Sequence, residues 1–134
     1  MSVGTHPSSF GFSEVFDSLL LNDLYGDDLS MAAEVFDGSR VRIAEAIAAS
    51  KDHLASGERE QLCRVLHRVK PVFGYTGLKE LQNEVEAYES RCLAGIEMAE
   101  LSEDFRVLEK YMLEAMDRIS KECVRMKAHG NRYE

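Results

Sequence analysis

A chain of 134 residues is long enough for one domain with a hydrophobic core and too short for two ordinary ones. With 45% hydrophobic and 30% charged residues the composition is globular, and a net charge of −8 argues against nucleic acid as a partner, because a phosphate backbone requires a basic face. No apolar run approaches the ~18 residues that mark a membrane span, and Met-Ser-Val-Gly-Thr-His-Pro lacks the basic-then-apolar order of a signal peptide, so the expectation is a soluble, cytoplasmic protein with no membrane association.

Residues 1–12 are rich in Gly, Ser and Pro and read as a flexible lead-in. Ser13 is a candidate cap for a first helix with Val15, Phe16, Leu19, Leu20 and Leu24 at helical spacing. Gly26 suits a helix end, and Asp27 or Asp28 suits the next cap. From Leu29 to about Ala55 a second helix carries Ala32, Val35, Phe36, Ile43, Ile47 and Leu54. Asp37-Gly38-Ser39 inside it predicts either a bend or a break into two helices.

Ser56-Gly57 marks the next turn. A third helix follows with Leu62, Val65, Leu66, Val69, Val72 and Phe73 on one stripe, then Tyr75-Thr76-Gly77 interrupts. Leu78, Leu81, Val85, Tyr88 and Cys92 form the stripe of a fourth helix, which Ala94-Gly95 can end. Leu101-Ser102 reads as a hydrophobic staple and cap for a last helix through Phe105, Leu108, Met112, Ala115 and Ile119. Residues 128–134 are polar and read as a frayed tail, leaving 13–127 as the domain. No alternating strand pattern competes, so the fold class is all-α, and short connections favour an antiparallel up-and-down bundle. Cys63, Cys92 and Cys123 are an odd number without close spacing, which fits reduced thiols better than a disulfide frame or a thiolate metal site.

The informative stretch runs from Leu66 to Gly77. At roughly 100° per residue, His67 projects roughly 150° from the centre of its helix's apolar stripe and faces solvent or a neighbouring protein. Lys70, Pro71 and Gly74 follow at three, four and seven residues and flank it on the same side. By itself an exposed histidine on a helix needs no function. Proline within a helix, however, costs about 3 kcal/mol and removes a backbone donor. Here that donor would have served the carbonyl of His67. Either the face has been shaped around the histidine or Pro71 kinks the helix to fit its core.

Histidine, lysine three residues later, a small residue four later and glycine ten later, followed by an apolar helix, is the pattern of the histidine-containing phosphotransfer (HPt) family. His67, Lys70 and Gly77 match at those offsets, Leu78 and Leu81 continue the match, and the chain resembles the family over roughly residues 20 to 125. It departs at Pro71, where glycine is most common, although some members carry Lys-Pro-x-Phe. The resemblance implies a four-helix bundle, here with an additional N-terminal helix, and a monomer. It also implies a phosphorelay role: His67 accepts a phosphoryl group from a receiver-domain aspartyl phosphate and passes it to another receiver aspartate. Lys70 would stabilise the phosphoryl charge, and Arg64, Pro71, Gly74 and Gly77 would form the docking face. The implied partners are response-regulator receiver domains or a hybrid histidine kinase. The chain would need no cofactor or metal of its own, since Mg2+ comes from the receiver, and would not be an enzyme.

An acceptor should orient the second ring nitrogen of His67. Glu89, within about 60° of the fourth helix's apolar stripe, is the candidate, with Gln82 on the same side a weaker one. An ordinary boundary carboxylate accounts equally well for Glu89. Two other functional readings stand beside the phosphocarrier. One is a receiver-docking module that is never phosphorylated. The other is the phosphoacceptor helix pair of a histidine kinase, but that box has an acidic residue directly after its histidine and its proline one position later. His6 and His129 fall in the expected tails, and His53 lies near a helix end without a ligand set.

Overall fold

The computed structural model describes residues 10–132. These form five helices and no strand: α1 Ser18–Tyr25, α2 Leu29–Ser56, α3 Arg59–Tyr75, α4 Lys79–Leu93 and α5 Met98–Arg132. The protein is all-α. Among the described residues no helix is long and apolar enough to cross a membrane.

The first helix starts later than its apolar spacing suggests. Asp17, not Ser13, is the cap, accepting a hydrogen bond from the Leu20 N–H at 3.2 Å. Ser13 is engaged elsewhere: its N–H and its hydroxyl each donate to the Glu122 carboxylate of α5 at 2.8 Å. The shift changes which side of α1 is buried. Leu21 and Tyr25 face the core, whereas Leu19 is 85% exposed.

Asp28 caps α2, and the helix then runs unbroken through Asp37-Gly38-Ser39. Phe36, Ser39, Ile43, Ala46, Ile47 and Ser50 are buried along it, so one apolar face spans the segment that local composition would interrupt. This is tertiary packing overriding a weak local preference.

The α2, α3 and α4 ends close the same way. At the end of α3 the Leu78 N–H reaches back to the Phe73 carbonyl at 2.8 Å and the Gly77 N–H to Gly74 at 3.1 Å. This pairing requires a left-handed residue, here Gly77 at φ 68°. Gly77 is doubly constrained. A Cβ there would stand 2.9 Å from Leu21 Cγ and 3.1 Å from the Asp17 backbone nitrogen. The Asp17 N–H donates to the Gly77 carbonyl at 2.8 Å, so the α3–α4 turn is docked on the start of α1.

The last helix begins before Leu101-Ser102. Its first bond joins the Leu101 N–H to the Glu97 carbonyl, which puts the expected staple and cap inside the first turn. It also continues past Lys127 to Arg132, where a frayed tail was expected, so that His129 lies on the helix. Phe10 packs against the rings of Phe12 and His129, and Phe12 against Phe36. Residues 10–12 of the expected lead-in are thus held against α5. His6 lies outside the described residues.

α2 packs on both α5 and α3, α3 on α4, α4 on α5, and α1 on α2. The core between them holds Phe36, Ile43, Leu62, Leu66, Phe73, Val85, Leu101, Met112, Ile119 and Met126, all but sealed from solvent. Burying a side chain of this size contributes about 1.5–3 kcal/mol. Tyr88 reaches across to α5, its hydroxyl donating to the Leu101 carbonyl at 2.6 Å. Arg59 at the start of α3 donates to the carbonyls of Cys92 and Ile96, tying the far end of α4 to α3.

Candidate functional site

α3 turns Leu62, Leu66, Val69 and Phe73 inward, and the same helical phase turns His67 outward. Its imidazole is 70% exposed. Pro71 lies within α3 without ending it, and the helix continues to Tyr75. Since proline has no N–H, the His67 carbonyl lacks its usual partner one turn on.

α4 supplies the other half of the site. Val85, Tyr88 and Cys92 place its inner face against the core, and Glu89, adjacent to Tyr88, emerges at the α3–α4 seam with its side chain only 9% exposed. One carboxylate oxygen stands 3.0 Å from His67 Nδ1. The other accepts from the Lys70 ammonium at 3.1 Å. Glu86 lies farther from that ammonium, at 3.9 Å. A single buried carboxylate therefore holds an imidazole and an ammonium, one on each oxygen.

This geometry selects a tautomer. A carboxylate can only accept, so in the neutral ring the proton sits on Nδ1 and the lone pair on Nε2. Nδ1 is the nitrogen turned toward α4, which leaves Nε2 on the exposed side. The ring is held at one nitrogen and free to react at the other. Lys70 is not a bare cation beside it, because its charge is shared with Glu89 through a partly buried contact.

The remaining expected positions divide. Arg64 and Pro71 are exposed on α3, and Gly74 is half-buried. The Gln82 side chain lies over Gly74, its amide nitrogen 3.0 Å from where a Cβ would stand. Glu89, not Gln82, is thus the side chain that meets the ring. Gly77 does not share the exposed face: it is buried beneath α1 at the helix end. His53 pairs with Glu58 at the α2–α3 corner, 3.0 Å apart, away from this seam. Among the described residues no group of three or more His, Cys, Asp or Glu is gathered to hold a metal ion.

Two structural groups escaped the sequence reading. Glu122 is buried to 1% exposure yet fully engaged, accepting from Ser13 twice and from Arg125 at 2.8 Å. Arg125 in turn donates to the Gly11 carbonyl and lies 4.8 Å over the Phe10 ring. The second group is the sulfur pair Cys63–Cys92, 2.8 Å apart across the α3–α4 seam. Nothing local marks either, since the partners are 109 and 29 residues apart.

A scan against protein-family models finds no match to this chain, and searches of curated proteins and of solved structures find none either.

Proposed function

We propose that this chain is a histidine phosphotransfer protein of the HPt type, taking a phosphoryl group onto Nε2 of His67 from a receiver-domain aspartyl phosphate and passing it to another receiver aspartate. The observation that carries the reading is the Glu89 carboxylate on Nδ1 of an imidazole that is 70% exposed. The contacts α2–α3, α3–α4, α4–α5 and α5–α2, with short links between successive helices, support reading these four as an antiparallel bundle to which α1 is added.

The chemistry follows from the held ring. The Nε2 lone pair attacks phosphorus opposite the aspartyl oxygen, the P–O bond breaks, and its electron pair returns to the aspartate carboxylate. Attack leaves positive charge on the ring, and Glu89 offsets it through the Nδ1–H. The phosphoryl oxygens then offer the Lys70 ammonium a second anionic partner beside Glu89. Pro71, exposed on the same helix face, presents a compact ring in place of a long side chain one turn from the imidazole, which eases the approach of a donor. The receiver brings the Mg2+ that neutralises its own phosphate. In this reading the protein is a cytoplasmic monomeric carrier with receivers or a hybrid kinase as partners, not an enzyme.

The test is transfer from phosphorylated receivers. Label should appear on this protein as acid-labile phosphohistidine and be absent from His67→Gln. A fully labelled His67→Gln variant would overturn the site. Receivers that bind without passing label would turn the reading to a docking module.

A further inference from the structure

The His67–Glu89 contact has a neighbour of different chemistry on the same two helices. Cys63 lies four residues before His67 on α3, and Cys92 three residues after Glu89 on α4. Their sulfurs are 2.8 Å apart, and both are thiols. Cys92 is sealed in the core while Cys63 is half-buried. The Arg59 guanidinium, bonded to the Cys92 and Ile96 carbonyls, holds the two helices together at this level. Facing sulfurs on two packed, clamped helices need only a small movement to reach the ~2.05 Å of a covalent bond.

We propose that Cys63 and Cys92 are a redox pair, closing to a reversible intramolecular disulfide by exchange with a low-molecular-weight disulfide such as glutathione disulfide and so joining α3 to α4 about one helical turn from the His67–Glu89 contact. Cys63 opens the reaction, because it is the half-buried member of the pair while Cys92 is sealed in the core. Its thiolate attacks glutathione disulfide, a mixed disulfide forms, and one glutathione thiolate leaves, taking up a proton. Cys92 then attacks the Cys63 sulfur of the mixed disulfide. The second glutathione thiolate leaves and takes the proton that Cys92 gives up. Two protein thiols are oxidised to one disulfide, and one glutathione disulfide is reduced to two glutathiones. Burial, then the neighbouring Cys63 sulfur, pushes the Cys92 thiol up to about 12, with Arg59 opposing. Cys92 is accordingly the resolving partner and not the attacking one. Cys123 donates to the Ala33 carbonyl elsewhere in the core, which makes it an internal control.

The pair stands independently of the phosphoryl reading, because a thiol count and a mass report it whether or not His67 carries phosphate. The full chain is equilibrated in glutathione and glutathione disulfide, quenched in acid, denatured, titrated for thiols and mapped without reduction. Of the three cysteines, two should be lost together, with a Cys63–Cys92 linked peptide, no retained glutathione and full recovery on reduction. Closing a loop of this length should lower the equilibrium constant for unfolding by roughly 400-fold. Cys123→Ser should close as readily, and Cys63→Ser should keep its remaining thiols. Three persistent thiols, a Cys63 that stops at the glutathione adduct, or links through Cys123 or between chains would each overturn the proposal.

Discussion

If Glu89 sets the tautomer of His67, removing its carboxylate should slow phosphoryl uptake without unfolding the protein. The Nδ1···Oε2 contact is 3.0 Å, and the carboxylate is largely shielded. A hydrogen bond to a charged group contributes about 1.5–3 kcal/mol. The imidazole is 70% exposed, so water competes for Nδ1 and the lower end of that range applies. About 1.4 kcal/mol is a tenfold change in rate. Glu89→Ala should therefore slow transfer from a phosphorylated receiver about tenfold. Glu89→Gln keeps an oxygen that can accept from Nδ1 and should slow it less. The fold should survive both, because Lys70, released from the carboxylate, can extend to water.

Rate alone would not separate orientation from a general disturbance of the seam. Nitrogen-15 NMR of the neutral ring does. Two-bond correlations of His67 should show a protonated Nδ1 and an unprotonated Nε2 in the wild type, with that preference lost in Glu89→Ala. Lys70→Ala removes the other occupant of the same carboxylate, so it should keep the tautomer while weakening uptake. A wild-type ring protonated at Nε2, or a folded Glu89→Ala with undiminished transfer, would refute the orienting role.

Three further outcomes test the fold that carries the site. Glu122→Ala strands the Ser13 N–H and hydroxyl and releases Arg125, and should destabilise by about 2–3 kcal/mol in urea unfolding, the range for losing a buried charged acceptor; a change under about 0.5 kcal/mol, the scatter of ordinary surface substitutions, would remove Glu122 as an anchor. Gly57 and Gly77 share a left-handed φ, but only Gly77 has atoms in the path of a Cβ. Gly57→Ala should cost about 1–2 kcal/mol for the backbone conformation alone, and Gly77→Ala distinctly more; equal costs would deny the docking of the α3–α4 turn on α1. Pro71→Ala restores a donor to the His67 carbonyl and should stabilise by about 1–3 kcal/mol, less what proline gives by restricting the unfolded chain; a destabilised Pro71→Ala would mean that the ring itself is packed.

What the sequence made legible was what depends on helical phase. His67 outward and Glu89 at the seam both follow from counting residues against an apolar stripe, and the short α3–α4 link makes those faces neighbours. Boundaries were less legible because competing local signals are nearly equal in strength. Ser13 and Asp17 are both good caps, and the choice falls to Asp17 because Arg125, 112 residues away, donates to the Ser13 hydroxyl oxygen that would have capped, while Glu122 takes both Ser13 donors. Asp37-Gly38-Ser39 weakens helix locally, enough to predict a bend or a break, yet Phe36 and Ile43 bury the face on either side and carry α2 through. The Leu101-Ser102 pair has the composition of a helix start, but the Gly95 turn admits the chain to α5 one turn earlier. The family resemblance implies a place for Gly77 on the docking face; in the fold it is buried at the helix end, with a φ of 68° and Leu21 in the path of a Cβ.

Pro71 shows how α3 tolerates a defect one turn from an exposed histidine. The missing N–H leaves one carbonyl unserved, and that carbonyl belongs to an exposed residue, where water can take the donor's place. Downstream, the carbonyls that a weakened last turn would release are taken up by specific partners. Thr76 donates its hydroxyl to Val72 at 2.9 Å, Leu78 its N–H to Phe73 at 2.8 Å, and Tyr25 of α1 its hydroxyl to Tyr75 at 2.6 Å. The inner face is held by Val69, Val72 and Phe73. The perturbation is thereby confined to the solvent side, without loosening the seam that Glu89 spans. A proline on the inner face would have put the same unserved carbonyl in the core at a cost of about 1–3 kcal/mol, which is why a proline here is compatible with the helix only on the side that His67 occupies.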